Sequence, residues 1–374
     1  MTDEKKILNY LQLINATNIG PVTFYKLLEK YQSAEQALEA LPRERKVFSL
    51  SAAKRELELA HHHHIAIIAF DDENYPKLLK QSDAKPPLLY VRGQLSSLQI
   101  PHALSIVGAR NASINGRKLA SKIAYELSNT GINIVSGMAR GIDSAAHKGA
   151  MYAKAQQGTT IAVLGTGVDI PYPTENQKLY EQICEQGAVI SEFALGTQPL
   201  SSNFPRRNRI VSGLTQGTLV VEASLHSGSL ITAKYALDQG RDVFAVPGFP
   251  SDSRSLGPNK LIKDGAFLVE SSEDILHNLN FRETAPQPQR YTPQQRDLFV
   301  SPLDKELKTS DIPNTTPLTE GVNILDLLTP EGVYVDEIIR VSGLDATTVS
   351  LQLLELEMDG KIEHQVGNKV ALIK

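Results

Sequence analysis

Five short apolar runs, each closed by a glycine or a polar residue, constrain this 374-residue chain more than any other feature. They are Leu104-Ser105-Ile106-Val107-Gly108, Ile132-Asn133-Ile134-Val135-Ser136-Gly137, Ile161-Ala162-Val163-Leu164-Gly165, Leu219-Val220-Val221-Glu222 and Val243-Phe244-Ala245-Val246-Pro247-Gly248. Near-continuous apolar runs of this length read as strands buried on both faces. Their alternation with helical stretches predicts βαβ units in a parallel sheet covered by helices. In such sheets ligands bind beyond the carboxyl ends of the strands, so the glycine turns mark the functional edge. The expected class is α/β, with an extended Rossmann-like core over residues 63–280.

The flanks read differently. Residues 1–62 place Ile7, Leu8, Leu11 and Ile14, then Phe24, Leu27 and Leu28, at helical spacing and predict a small helical domain. Within it, Asn18-Ile19-Gly20-Pro21-Val22 is either a plain connector or a helix-hairpin-helix turn offering backbone amides to a phosphate. Residues 281–318, rich in Pro, Gln and Thr, read as a linker. Over residues 319–374, helical patterns at 324–328, 335–341 and 346–358 precede two short strands around Gly367-Asn368, a winged-helix arrangement. Its third helix comes with Asp345, Glu355, Glu357 and Asp359 and has no Lys or Arg, which favours contact with protein over duplex DNA.

Charge is uneven. The chain carries a net −4, but residues 321–374 hold nine acidic against four basic residues, leaving +1 for the rest. Any nucleic-acid site is therefore a local gathering of arginines. One cysteine, Cys184, cannot form an intramolecular disulfide and fits a reducing compartment. A charged start without an apolar stretch and the lack of any membrane-length segment lead to the expectation of a cytoplasmic protein.

The turns carry the candidate chemistry. In Gly108-Ala109-Arg110-Asn111-Ala112-Ser113, arginine stands where a dinucleotide fingerprint needs its second glycine. That argues against NAD and for a guanidinium gripping phosphate at a sheet edge. In the turn Ser136 to Asp143, Asp143 is placed to cap the following helix, Ser136, Gly137 and Arg140 are candidates for the pocket rim, and His147 reads as a packing residue. Asn203-Phe204-Pro205-Arg206-Arg207-Asn208-Arg209 combines cations with an aromatic ring, as single-stranded DNA requires. It reads equally well as an amphipathic helix with solvated arginines and a buried Phe204. Ser227-Gly228 and Asn259-Lys260 open two further helices, and the former is a natural anion site of backbone amides. The phosphate loop, zinc-hydrolase and α/β-hydrolase motifs are missing. The run His61 to His64 reads as a solvated turn, and neither a metal nor a cofactor is expected.

In order along the chain, Tyr90-Val91-Arg92-Gly93, Val107-Gly108-Ala109-Arg110, Ser136-Gly137-Met138-Ala139-Arg140-Gly141-Ile142-Asp143, Tyr172-Pro173-Thr174-Glu175-Asn176, Asn203 to Ile210, Ser227-Gly228-Ser229 and Val246-Pro247-Gly248 resemble the DNA-processing protein A (DprA/Smf) family. The resemblance implies a dimerising core that binds single-stranded DNA in a basic pocket and helps load the RecA recombinase during natural transformation. It also implies that Arg110 grips phosphate and that Phe204 stacks on a base beside Arg207 and Asn208. The family's basic residue shortly before this phenylalanine is replaced here by Leu200-Ser201-Ser202, so that contact falls to Arg206 or is lost. A rival reading, from similarity of the core to nucleotide phosphoribohydrolases, pairs Arg140 with Glu222 as binding and catalytic residues, although the Pro-Gly-Gly run of those enzymes is missing. A third is a pure adaptor acting through the acidic tail.

Overall fold

The computed structural model describes residues 2–41, 47–153 and 159–279, and within the C-terminal segment 324–329, 332–342, 344, 349, 352–353, 356, 361–365 and 369–372. The expected linker and the turn at Gly367-Asn368 lie outside the described residues. The chain divides into two compact units, 1–300 and 301–374.

The first unit opens with helices α1 (Thr2–Ile14), α2 (Pro21–Tyr31), α3 (Ala34–Glu39) and α4 (Leu50–His62). Gly20 and Pro21 start α2, where proline's fixed φ suits a first helical turn and its missing N–H is no loss. Then follow β1 (Ile65–Ala69), α5 (Lys77–Lys80), β2 (Leu88–Gly93), β3 (Ala103–Val107), α6 (Ile114–Asn129), β4 (Asn133–Ser136), α7 (Ile142–Met151), β5 (Thr160–Val163), α8 (Gln177–Gln186) and β6 (Ala188–Ser191). The unit closes with α9 (Asn203–Gly213), β7 (Gly217–Val220), α10 (Gly228–Asp238), β8 (Asp242–Ala245), α11 (Leu256–Lys263), β9 (Phe267–Leu268) and α12 (Ser272–Asn278).

Among the described residues these strands form one nine-stranded sheet in the order β1-β2-β6-β5-β4-β3-β7-β8-β9. From β6 through β9 every pairing is parallel, as the apolar runs imply, with Ser105 opposite both Val135 and Thr218. The sheet is not parallel throughout: β2 runs antiparallel to β1 and to β6. The chain returns between β1 and β2 through the segment Phe70–Pro87 and its short α5, without a full crossover helix. Strand β3 lies between β4 and β7, so the direction of winding reverses there, the position where a doubly wound sheet opens a crevice.

Helices cover both faces. On one face Ile106, Ile134 and Leu219 of the strands cluster with Ile123 and Leu127 of α6 and Ala146 of α7, and on the other Val107 and Val163 cluster with Ile210 of α9 and Ala233 of α10. The N-terminal helices share their core with the sheet: Leu11, Leu13 and Phe24 join Ile65, Tyr90 and Val189 in one cluster.

In the second unit a 3-10 turn (Ile324–Leu327) precedes β10 (Val333–Tyr334), α13 (Val335–Ser342), β11 (Ile362–Gln365) and β12 (Lys369–Leu372). The expected wing strands pair antiparallel, and β10 adds an unforeseen third strand on the other side of β12. Ile338, Val349, Leu353, Ile362 and Val370 form its core. Much of the expected third helix lies outside the described residues.

Candidate nucleic-acid interface

Every candidate turn follows the carboxyl end of a parallel strand: Arg110 after β3, Arg140 after β4, Tyr172 after β5, α9 after β6, Ser227 after β7 and Lys260 after β8. At the centre of this rim stands Phe204, in the first turn of α9 and half-buried. Its ring rests on the loop after β5, where a Cβ on Gly165 would fall 2.9 Å from Cδ1. The exposed Arg110 guanidinium lies over the ring at 5.7 Å, within cation–π range. Tyr172 packs beside it with centroids 5.5 Å apart and planes inclined at 38°. Among the described residues Arg110 has no carboxylate partner, so its charge faces solvent.

Other members of the rim are tethered. Arg140 is exposed with Nη1 3.7 Å from Glu175. Arg206, also exposed, lies over Phe193 at 5.2 Å. It borders a cavity of about 320 Å³ that reaches the Ile19-Gly20-Pro21 turn of the N-terminal helices. Asn208 donates from Nδ2 to the Gly228 carbonyl at 3.2 Å, joining α9 to the start of α10. There the Ser227 hydroxyl accepts from the Ser229 amide at 3.4 Å, and Gly228 is exposed. Asn259 bridges to both the amide and the carbonyl of Gly248, and Lys260 is exposed beside it. Asn203 is buried at the first position of α9.

Beneath the rim the structure corrects several expectations. Arg207 is only 5% exposed, and Nη1 donates to the carbonyls of Gly137 and Val163, so it braces the strand ends from within and does not meet solvent. Burial pulls its pKa down to about 10 against the pull of Asp143. Asp143 does not cap α7, whose N-cap position is Gly141. Its carboxylate accepts from the amides of Gly137 and Ala139 at 3.1 and 3.3 Å. Burial raises the Asp143 pKa, with Arg207 and these amides opposing. Ser136 is fully buried, donating to the Ile106 carbonyl at 2.6 Å, and Gly137 is buried against the Arg207 guanidinium. His147 is buried with Nδ1 2.7 Å from the Thr160 hydroxyl. Burial first, and Arg207 second, push it down to about 3, which keeps the ring neutral.

At the reversal of the sheet, Glu222 fills the crevice where open sheets of this kind bind ligands. Its carboxylate accepts from the Ser113 hydroxyl at 2.5 Å and from the Ser113 amide at 2.8 Å, while Ser113 Oγ caps α6 through the Gly116 amide. The helix start that binds pyrophosphate in dinucleotide folds already holds an anion of the chain's own, packed against Gly116. Ser113 is engaged there, and Glu222 is no free catalytic carboxylate, which disfavours the hydrolase reading.

Residues 66–280 match the family described as DNA recombination-mediator protein A, residues 4–65 the DprA-like N-terminal HHH domain and residues 313–368 the DprA winged helix domain. The chain belongs to the DprA/Smf family. It is 41% identical to protein Smf of Escherichia coli over 321 residues, 84% of this chain and 79% of that one. With the DNA processing protein DprA of Streptococcus pneumoniae it shares 44% over 210 residues, 56% of this chain and 73% of the relative. The solved structure of that pneumococcal protein superposes with a TM-score of 0.59 at 35% identity, over 75% of this chain and 96% of the other. A DNA processing protein A of Helicobacter pylori, solved for its unique single-stranded DNA binding mode, matches with a TM-score of 0.53 at 28% identity, over 58% and 96%.

Tyr172 is the member of this DprA-family rim that sequence reasoning missed as a ring. Only the folded loop turns it onto Phe204, and the one sequence signal was its place in the Tyr-Pro-Thr-Glu-Asn motif. Phe249, 75% exposed in the loop after β8, is a second exposed aromatic at this edge.

Proposed function

We propose that this DprA-family chain binds single-stranded DNA along the carboxyl rim of its sheet, with Arg110 on a phosphate, Phe204 and Tyr172 stacked on bases, and Arg206 and Lys260 adding charge. The observation that carries the reading is the exposed Arg110 guanidinium seated over the Phe204 ring. It unites the two features an unpaired strand requires, a fixed cation and an aromatic face. Asn208, Ser227, Gly228 and Asn259 shape the rim, and Arg207, Ser136, Gly137 and Ser113 hold it in place from below. The single-stranded DNA binding named for the Helicobacter pylori relative supports this class of ligand.

The protein works here by binding, not by catalysis. Following the family, it protects an incoming strand and hands it to RecA in the cytoplasm. A second copy completes the assembly: the terminal strand β9 leaves Phe267 and Leu268 at 40% and 46% exposure, an apolar edge that a partner can cover. Among the described residues no helix is long and apolar enough to cross a membrane.

The test is a gel shift of single-stranded against double-stranded DNA with wild-type and Arg110→Ala protein across a salt series. Single strands bind more tightly, and the variant's salt slope drops by about 0.7, the value of one phosphate. An unchanged slope removes Arg110 from the backbone contact. Release of free base from a nucleoside monophosphate would instead favour the hydrolase reading.

A further inference from the structure

The rim leaves unused a second basic surface of the same unit. Between α6 and α7, whose first residues follow the rim loops, runs an open groove of about 690 Å³. Arg117, Lys118 and Lys122 of α6 and Lys148 of α7 line it together with Tyr125 and Tyr152, all six exposed and Tyr152 at 73%. Among the described residues no carboxylate lines the groove. Beside it Glu126 stands 3.8 Å from Lys122 and also accepts from the Ser272 hydroxyl, so it offsets one of the four cations at most. The floor is backbone, because α7 meets α6 at Gly149, where a Cβ would fall 2.1 Å from the Ser121 carbonyl. At one end lies Gly141, packed on the backbone of Ala109 and Arg110, so the groove opens beside the loop that carries the central cation of the rim.

Neither the cations nor the rings of this groove contribute to the core. Exposed tyrosines interleaved with lysines match a ligand that has both phosphates and unstacked bases. An acidic protein surface would use the lysines and leave the rings idle. We propose that the α6–α7 groove is a second binding site that carries single-stranded DNA away from the rim, with phosphates on Lys118 and Lys148 and bases on Tyr125 and Tyr152. This rests on the rim reading, since the strand enters from Arg110. From Arg117 to Tyr125 the helix advances about 12 Å, room for roughly three phosphates.

Oligothymidines of about 6 and about 20 nucleotides separate the two sites, the shorter filling the rim alone. Fluorescence anisotropy with the full chain compares wild type, the double variant Lys118→Gln/Lys148→Gln, and Tyr152→Ala. The proposal expects each variant to bind the longer strand about tenfold more weakly and the shorter one as wild type does. It also expects the salt slope for the longer strand to drop by about 1.4 in the double variant and to hold in Tyr152→Ala. Unchanged affinity for the longer strand overturns the groove and leaves the rim standing. Equal losses on both lengths also overturn it as a separate site. Polyglutamate that displaces the longer strand as well as unlabelled oligothymidine does, at equal charge, assigns the groove to an acidic protein and overturns the proposal. Wild type that binds neither length refutes the rim reading and the groove with it.

Discussion

At the scale of single residues, α9 separates two kinds of arginine that composition treats alike. Arg206 stays in solvent over Phe193, while Arg207 lies inside, bonded to two strand-end carbonyls. Arg207→Ala leaves two buried carbonyls without their donor, a loss of about 1–3 kcal/mol, and removes the cation whose field favours ionised Asp143. Urea denaturation reads this directly, and the salt slope of DNA binding by the folded fraction stays at the wild-type value. A reduced slope would put Arg207 back on the DNA. Phe204→Ala removes a ring worth about 1–3 kcal/mol per stacked base and weakens single-strand binding with the salt slope unchanged. Titration at two salt concentrations checks it. The burial of Arg207 was legible in part: Asn203, Arg207, Ile210 and Val211 recur at helical spacing and form the buried face of α9. An arginine in a basic run reads as solvated because its long side chain usually reaches water, and only the carbonyls waiting at the ends of β4 and β5 reverse that.

At the scale of elements, the strands legible in the sequence are those whose both-sided burial requires continuous apolar runs, β3, β4, β5, β7 and β8. Strand β9 is two residues long and gives no periodic signal of its own, and β6 is an apolar run as short as β5 and β7 whose start follows the end of α8 by one residue, which blurs the boundary between them. The direction of β2 follows from the connection before it, which no local pattern encodes. Helix α7 carries a pH dependence. His147 is held neutral against Thr160 of β5, with its folded pKa near 3 below the ordinary value of about 6.5. The native state therefore resists a proton that the unfolded chain accepts. The contribution is complete above about pH 6.5 and is lost as the pH falls toward 3, at up to about 1.4 kcal/mol per pH unit. Denaturation midpoints at pH 7, 6 and 5 should fall in that order for wild type, and His147→Gln should flatten the trend. A trend that persists in the variant assigns it elsewhere.

At the scale of the whole molecule, the acidic excess resides in the C-terminal segment. Ending the chain before residue 321 changes the net charge from −4 to +1. The long-range repulsion of DNA by the protein's overall field falls accordingly. The shortened chain is expected to bind single strands at least as tightly as the full chain at low salt, with the difference vanishing at high salt. Anisotropy titrations of both forms measure it, and weaker binding by the shortened chain at low salt would show that the winged helix itself touches DNA. The winged-helix domain was visible from its strands and apolar spacing. Its β10 strand was not, because two residues next to a helix carry no pattern.

The carboxylate of Glu222 has a consequence for selectivity. By tying itself to Ser113 it gives the molecule a permanent occupant at the socket where this kind of fold ordinarily seats a diphosphate. Dinucleotides have no berth at the heart of the sheet, and under the proposed function polyanions are met on the outer lip and the groove beside it. There a long polymer, touching many shallow points at once, outcompetes any small phosphate that can touch only one.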